Sequence, residues 1–100
     1  MPRTLRAGRV TVDAGDRDTY IQTVHALARL AKGRGIHVWL FRHGQDPGTF
    51  FEFVEGAREE VLHEPRSLEE AELIRRLEGI ATYAADSEDW WYEVPAPPDD

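Results

Sequence analysis

Two aromatic runs that flank a short turn constrain the fold of this chain more than any other feature. The first run occupies residues 36–43, the turn occupies 44–48, and the second run occupies 49–54. Both runs are rich in aromatic and β-branched residues, whereas the turn consists mostly of glycine, aspartate and proline. This pattern predicts an antiparallel β-hairpin.

The pairing within this hairpin makes both of its faces apolar. If His43 lies opposite Thr49, alternate residues of the two strands share a face. One face then carries His37, Trp39 and Phe41 opposite Glu55, Phe53 and Phe51, and the other carries Val38, Leu40 and Arg42 opposite Val54, Glu52 and Phe50. Monomeric proteins rarely expose an apolar patch of this extent. We therefore expect helices to cover one face and a second copy of the chain to cover the other, as a homodimer.

The order of elements along the chain predicts an α+β fold. We expect a strand at 6–12, a helix at 16–31, the hairpin, a short helix within 55–64, a longer helix from Ser67 to about Ala85, and a last strand at 90–94. Helices between pairs of strands are typical of a ferredoxin-like βαββαβ sandwich with an antiparallel four-stranded sheet. Residues 1–94 would form this single domain, and the proline-rich residues 95–100 a flexible tail.

The two longer helices have recognisable start signals. Asp16 is a good N-cap for the first helix. Ser67 and Glu70 have the S-x-x-E spacing of a capping box, which opens the second. The apolar stripe of this second helix continues through Leu77, Ile80 and Ala84.

Composition excludes several classes of function. The formal net charge of −7 argues against a nucleic-acid binder, which needs clustered lysine and arginine. The chain has no cysteine, so it has no disulfide and no thiol nucleophile. No run has the length of a membrane span or the apolar core of a signal peptide, which predicts a cytoplasmic protein without a membrane partner.

Three passages, taken in order, resemble a known family. The helix at 16–31 is followed by Gly35 and the strand Ile36-His37-Val38-Trp39. The turn Asp46-Pro47-Gly48 leads into an aromatic strand that ends in an acid, and a broken helical region precedes a closing aromatic strand. From about Arg9 to Val94 the chain is similar to the antibiotic biosynthesis monooxygenase family and other dimeric α/β barrels. The resemblance implies two sheets packed face to face in a dimer, with a pocket between sheet and helices.

The same resemblance sets the functional expectation. Its members include cofactor-independent oxygenases and haem-degrading enzymes, so we expect a protein that binds or oxidises a small hydrophobic or aromatic molecule, with no cofactor. One alternative is a non-catalytic dimerisation or ligand-sensing module. A second alternative is haem binding through His63, which lies roughly where haem-degrading relatives place an iron ligand; otherwise His63 is an exposed histidine at a helix end.

The candidate catalytic pair is His37 with Glu55. A carboxylate beside an imidazole raises its pKa and fixes its tautomer, which suits a general base. The same pair could instead form a structural salt bridge across two strands. No metal site is expected, because His37 and His43 lie roughly 20 Å apart along one strand at ~3.3 Å per residue; the alternative is a composite site that includes His25 or Glu55.

The candidate ligand-binding residues are Trp39, His25 and Tyr83. Trp39 could line a pocket for a flat ligand, or belong to the core or the dimer interface. Tyr83 on the last helix and Tyr20 on the first could direct their hydroxyls into a pocket, or lie at the edge of the core. Glu52 is expected to form a structural ion pair with Arg42.

Overall fold

The computed structural model describes residues 3–62, 66–87 and 89–98. Within these ranges no helix is both long and apolar enough to cross a membrane. Five strands and three helices occur in this part of the chain, in the order β1 (Thr4–Val12), α1 (Arg17–Lys32), β2 (His37–Arg42), β3 (Thr49–Gly56), α2 (Glu59–Leu62), α3 (Leu68–Ile80), β4 (Ala81–Tyr83) and β5 (Asp89–Tyr92).

All five strands belong to one antiparallel sheet in which β1 is central. The strand order is β2-β3-β1-β4, and β5 also pairs with β1. Strand β3 occupies one edge of β1, while β4 pairs with residues 10–12 and β5 with residues 4–7 along the other edge. The ferredoxin-like α+β fold is therefore confirmed. The expected four-stranded sheet is corrected in one respect, because β4 and β5 together occupy the position of a single fourth strand.

The predicted register of the hairpin is confirmed. Trp39 pairs with Phe53, and Phe41 pairs with Phe51. At the turn, the backbone N–H of His43 donates to the carbonyl of Thr49 at 2.8 Å. The face of each residue in β2 and β3 therefore follows from simple alternation along the strand.

The hydrophobic core lies between one face of this sheet and the two longer helices. We call this the inner face and the opposite one the outer face. The core is formed by buried side chains from β1, α1, β3, α3 and β4, namely Val10, Val12, Tyr20, Val24, Phe50, Leu77 and Ala81. Val38 and Leu40 of β2 pack against this core from inner-face positions. The apolar stripes of α1 and α3 thus cover the inner face alone.

The C-terminal boundary of α3 differs from the prediction. The helix ends at Ile80, and Ala81 has extended backbone angles, φ −123° and ψ 138°. Residues 81–83 form β4 instead of continuing the helix to about Ala85. Their amides and carbonyls pair with the edge of β1 that β3 leaves open. This pairing outweighs the helical periodicity of the sequence, and it places Tyr83 on a strand instead of a helix.

Side-chain capping was predicted at the start of both longer helices, and the structure shows it at one of them. At α3 the capping box is confirmed: the Ser67 side chain accepts from the Glu70 amide, and the Glu70 carboxylate accepts from the Ser67 amide. Asp16 does precede α1, but its side chain accepts no capping hydrogen bond. The backbone of Asp16 already has helical angles, since a 3-10 turn at Ala14–Asp16 leads into the helix. An N-cap side chain normally requires an extended backbone at that position.

Candidate functional site

A cavity of about 300 Å³ lies between the inner face and the helices. Its wall combines apolar side chains of β1, α1, β2, β3 and α3 with polar ones. Its polar lining residues are Arg6, Arg34, Glu52, Arg66, Glu70, Glu78 and Tyr83. A hollow in which apolar side chains surround convergent polar groups is a common form of small-molecule site.

The most distinctive polar feature of this cavity is the carboxylate of Glu52. Glu52 lies on β3 at an inner-face position between Phe50 and Val54. Its Oε2 atom accepts a hydrogen bond from the Tyr20 hydroxyl at 2.5 Å and one from the Tyr83 hydroxyl at 3.1 Å. Three elements, α1, β3 and β4, therefore hold one carboxylate in place.

The electrostatics of this group keep both tyrosines protonated. Burial raises the pKa of Tyr20, and the negative charge of Glu52 and its hydrogen bond raise it further. Burial also raises the pKa of Tyr83, again with a contribution from the Glu52 charge. Both hydroxyls consequently remain donors at neutral pH, and the Glu52 carboxylate is their acceptor.

Local packing explains why Tyr20 is so well placed. The side chain is fully buried, and its ring lies against Phe50 with the ring centroids 4.9 Å apart. A buried hydroxyl without a partner would cost free energy. The hydrogen bond to Glu52 satisfies the Tyr20 hydroxyl. It also gives the carboxylate a donor in place of water.

A second polar group lies at another part of the cavity wall. Glu70 at the start of α3 is almost fully buried, and its Oε1 accepts from Arg34 Nη2 at 3.0 Å. The other carboxylate oxygen accepts from the backbone N–H of Ser67 at 3.1 Å. The Arg34–Glu70 ion pair therefore joins the turn that follows α1 to the first turn of α3.

The outer face is chemically different from the cavity. Trp39 is 47% exposed, Phe41 57% and Trp91 56%. Phe53 packs edge-on against Phe41 and is stacked on Phe51. A shallow groove of about 280 Å³ crosses this face, lined by Arg3, Leu5, Trp39, Glu55, Trp91, Tyr92 and Glu93.

The structure places the candidate catalytic pair outside the cavity. His37 and Glu55 pair across β2 and β3 as expected. His37 is exposed, and Glu55 lines the outer-face groove, where its carboxylate accepts from Arg3 Nη1 at 3.1 Å. The role of this pair as a general base stays a prediction, and it concerns the outer face.

The candidate ligand-binding residues are divided between different surfaces. Tyr83 lines the cavity. The sequence had left two positions open for its hydroxyl, a pocket or the edge of the core. Trp39 lines the outer-face groove. His25 is exposed on α1. His63 lies outside the described residues, and in the described part of the chain no group of three or more histidine or acidic side chains is placed to hold a metal ion.

Sequence reasoning missed the role of Glu52. The expected ion pair with Arg42 is replaced by the hydrogen bonds from Tyr20 and Tyr83, while Arg42 is exposed. A usable signal was present, because Glu52 occupies a position between two apolar inner-face residues. An acid at such a position must be hydrogen-bonded, and Tyr20 and Tyr83, expected either in a pocket or at the edge of the core, were the available donors.

Comparison with known proteins identifies the fold. No protein-family model and no curated protein matches this sequence. Among solved structures, SnoaB, a cofactor-independent oxygenase from Streptomyces nogalater, superposes with a TM-score of 0.80 at 11% identity, over 99% of this chain and 100% of SnoaB. A possible oxidoreductase of unknown function from Bacteroides thetaiotaomicron gives a TM-score of 0.78 at 14% identity, covering 91% and 97% of the two chains.

A third similar structure comes from Nitrosomonas europaea, a putative antibiotic biosynthesis monooxygenase. Its TM-score is 0.73 at 7% identity, with 98% of this chain and 94% of that chain covered. This chain has the fold of the antibiotic biosynthesis monooxygenase-like proteins. The resemblance inferred from the sequence is thereby confirmed for the fold.

Proposed function

We propose that this protein binds a small hydrophobic or aromatic molecule in the cavity between its sheet and its helices. The cavity of about 300 Å³ is the observation that carries the proposal. Protein interiors are normally packed to the density of organic crystals. A sheet and two helices that served only as a structural module would gain contacts by filling this space, so the open volume favours a binding site.

For the chemistry, we propose cofactor-independent oxidation of the bound molecule. The support for this class is the fold shared with SnoaB, a cofactor-independent oxygenase. The cavity also offers apolar side chains, among them Val24, Leu27 and Ile74, against which an aromatic ligand would pack. Haem binding through His63 and a cytoplasmic location stay predictions from the sequence.

We also propose that two copies of the chain associate through their outer faces. Trp39, Phe41 and Trp91 are about half exposed on this one surface. Each large apolar side chain that becomes fully buried contributes roughly 1.5–3 kcal/mol. A two-fold axis would bring the same patch of both copies together, so several such side chains would be buried at once.

The second candidate function is a non-catalytic dimerisation module. The exposed aromatic outer face favours it, because association alone would account for that surface. The two candidates differ in what they require of the cavity: a dimerisation module needs no ligand there, whereas the leading proposal does.

Binding of a neutral aromatic probe tests the leading proposal. 1-Methylnaphthalene is titrated into ¹⁵N-labelled protein, and the amide chemical shifts are followed by NMR. We expect the largest changes at cavity residues such as Leu27, Val38 and Ile74. Changes confined to the neighbourhood of Trp39 and Trp91 would assign binding to the outer-face groove, and no saturable change would contradict the proposal.

A pair of neighbouring substitutions on α3 localises the site further. Ile74 lines the cavity, so Ile74→Trp should fill part of it and weaken probe binding at least tenfold, roughly 1.4 kcal/mol. Arg75 is exposed on the same helix, and Arg75→Trp is the matched control. Thermal unfolding of both variants checks that the loss of binding does not arise from a loss of structure.

A further inference from the structure

We propose that Glu52 is the residue that selects ligands for the cavity, favouring neutral aromatic molecules that donate a hydrogen bond over isomers that donate none. This inference rests on the proposed function, because it concerns the same cavity. It adds the polar group that recognises the ligand and the chemical class that this group accepts.

The carboxylate has a fixed position from which to act. Tyr20 donates to it from a fully buried position on α1, and Tyr83 donates from β4, beside Glu52 in the cavity wall. The Glu52 side chain therefore requires little reordering when a ligand arrives. A preorganised group of this kind loses little entropy on binding.

The chemistry of the carboxylate determines what it recognises. An ionised carboxylate only accepts hydrogen bonds, at about four lone-pair positions. Both tyrosines remain protonated, since burial and the Glu52 charge raise the pKa of each. Neither tyrosine therefore gives up its proton, and the oxygens of Glu52 remain acceptors in the cavity wall, for which a ligand N–H or O–H group is the complementary partner.

The charge balance of the wall favours a neutral ligand. Three arginines and three glutamates line the cavity, Arg6, Arg34 and Arg66 with Glu52, Glu70 and Glu78. Their formal charges cancel. A charged ligand would lose its hydration on entry without a net opposite charge to compensate, whereas a neutral donor would not.

A purely structural role explains Glu52 less well. Removing a carboxylate from water is costly, and an apolar side chain with phenylalanine in place of the two tyrosines would fill the same positions without that cost. An acceptor held in the wall of a cavity beside apolar side chains is expected where a ligand must be oriented.

Two isomers that differ only in the donor provide the test. In 3-methylindole the methyl group is on carbon, so the indole N–H is free to donate. In its isomer 1-methylindole the methyl group is on the nitrogen, so no N–H donor remains. We expect 3-methylindole to bind the native protein roughly tenfold more tightly, as one charge-assisted hydrogen bond would give. Both dissociation constants are measured by NMR titration of the labelled protein.

The variants assign the preference to Glu52. In the triple variant Tyr20→Phe, Glu52→Leu and Tyr83→Phe, donors and acceptor are removed together, which avoids leaving a buried group unpaired. We expect this variant to bind both isomers with equal affinity. Glu78 also lines the cavity, and Glu78→Gln should retain the tenfold preference as the matched control.

The possible outcomes separate this inference from the proposed function. Equal binding of both isomers by the native protein overturns the role of Glu52 but leaves the cavity as a binding site. Failure of both isomers and of 1-methylnaphthalene to bind overturns both proposals. A preference that survives in the triple variant, or disappears in Glu78→Gln, assigns the acceptor elsewhere and also overturns the inference. If the triple variant does not fold, Glu52→Gln takes its place: it keeps the size of the side chain and removes its charge, and a tenfold preference that survives in it overturns the inference.

Discussion

The inner and outer faces of the sheet differ in which side chains are exposed to solvent. On the inner side of the sheet, the half-buried Glu52 carboxylate accepts a hydrogen bond from the buried Tyr20 of α1. On the outer face, Trp39 and Phe41 are about half exposed. Strands β2 and β3 contribute to both surfaces through alternate residues. The comparison teaches that, in a sheet this small, the face on which a residue lies decides its role more than its type does.

The largest effect is expected where the outer face is made polar. If a second copy covers this face, Phe41→Glu would bury a charge at the interface. The dissociation constant of the dimer should then rise roughly 100-fold or more. Sedimentation velocity at micromolar concentration measures this change. Leu68 is 90% exposed on α3, and Leu68→Glu is the control that should leave assembly unaltered. A native protein that sediments as a monomer would contradict the predicted dimer.

A smaller effect is expected at the buried ion pair of the cavity wall. Glu70→Ala removes one acceptor of Arg34 together with half of the capping box of α3. We expect the free energy of unfolding in urea to fall by about 2–3 kcal/mol. The exposed pair of Glu72 with Arg76 on the same helix supplies the comparison, and Glu72→Ala should change stability little. Equal losses in the two variants would show that burial does not distinguish these ion pairs.

The next effect concerns two tyrosines that each donate to a carboxylate. Tyr20 is fully buried on the inner side of the sheet, whereas Tyr92 is exposed and donates to Glu59 at 3.2 Å. Tyr20→Phe should lower the free energy of unfolding by about 2 kcal/mol, because its hydrogen bond is made to a charged group away from water. Tyr92→Phe should change it hardly at all. Equal stabilities of the two variants would mean that the buried hydrogen bond does not stabilise the fold.

The smallest effect is a change in the alkaline pH dependence of stability. The folded-state pKa of Tyr20 is raised above its usual value near 10, so above that pH the unfolded chain releases a proton that the folded chain retains. Stability must then fall with rising pH, by roughly 1.4 kcal/mol per pH unit for this tyrosine. Urea titrations between pH 9 and 11 should show a shallower decline for Tyr20→Phe than for the native protein. Parallel declines would contradict the raised pKa.

The sequence predicted those parts of the fold that depend on neighbouring residues. The hairpin register followed from the position of one turn, and the capping box of α3 followed from the spacing of Ser67 and Glu70. The end of α3 did not follow, because Ile80 and Ala84 continue a helical period. Only the open edge of β1, which is distant in the sequence, explains why residues 81–83 form a strand.

Less of the candidate site was predictable from the sequence, because it too depends on residues that are distant along the chain. Since both faces of the hairpin are apolar, alternation alone does not determine which face meets the helices. The sequence therefore left Trp39 either in a pocket or in the core or dimer interface, and the structure assigns it to the outer face. Glu52 was assigned to Arg42 on the same strand pair, whereas its partners come from α1 and β4.

The central position of β1 has a consequence for how the chain folds during synthesis. Beside this strand, the backbone N–H of Glu93 donates to the carbonyl of Arg3 at 2.9 Å, and these residues are 90 positions apart. Contacts between such distant residues slow folding, because a large loop must close before they form. In a nascent chain both edges of β1 would be unpaired until β3 had been translated, and residues 4–7 would keep one unpaired edge until residues 89–92 followed. Molecular chaperones that shield exposed strands would be most useful to this protein during that interval.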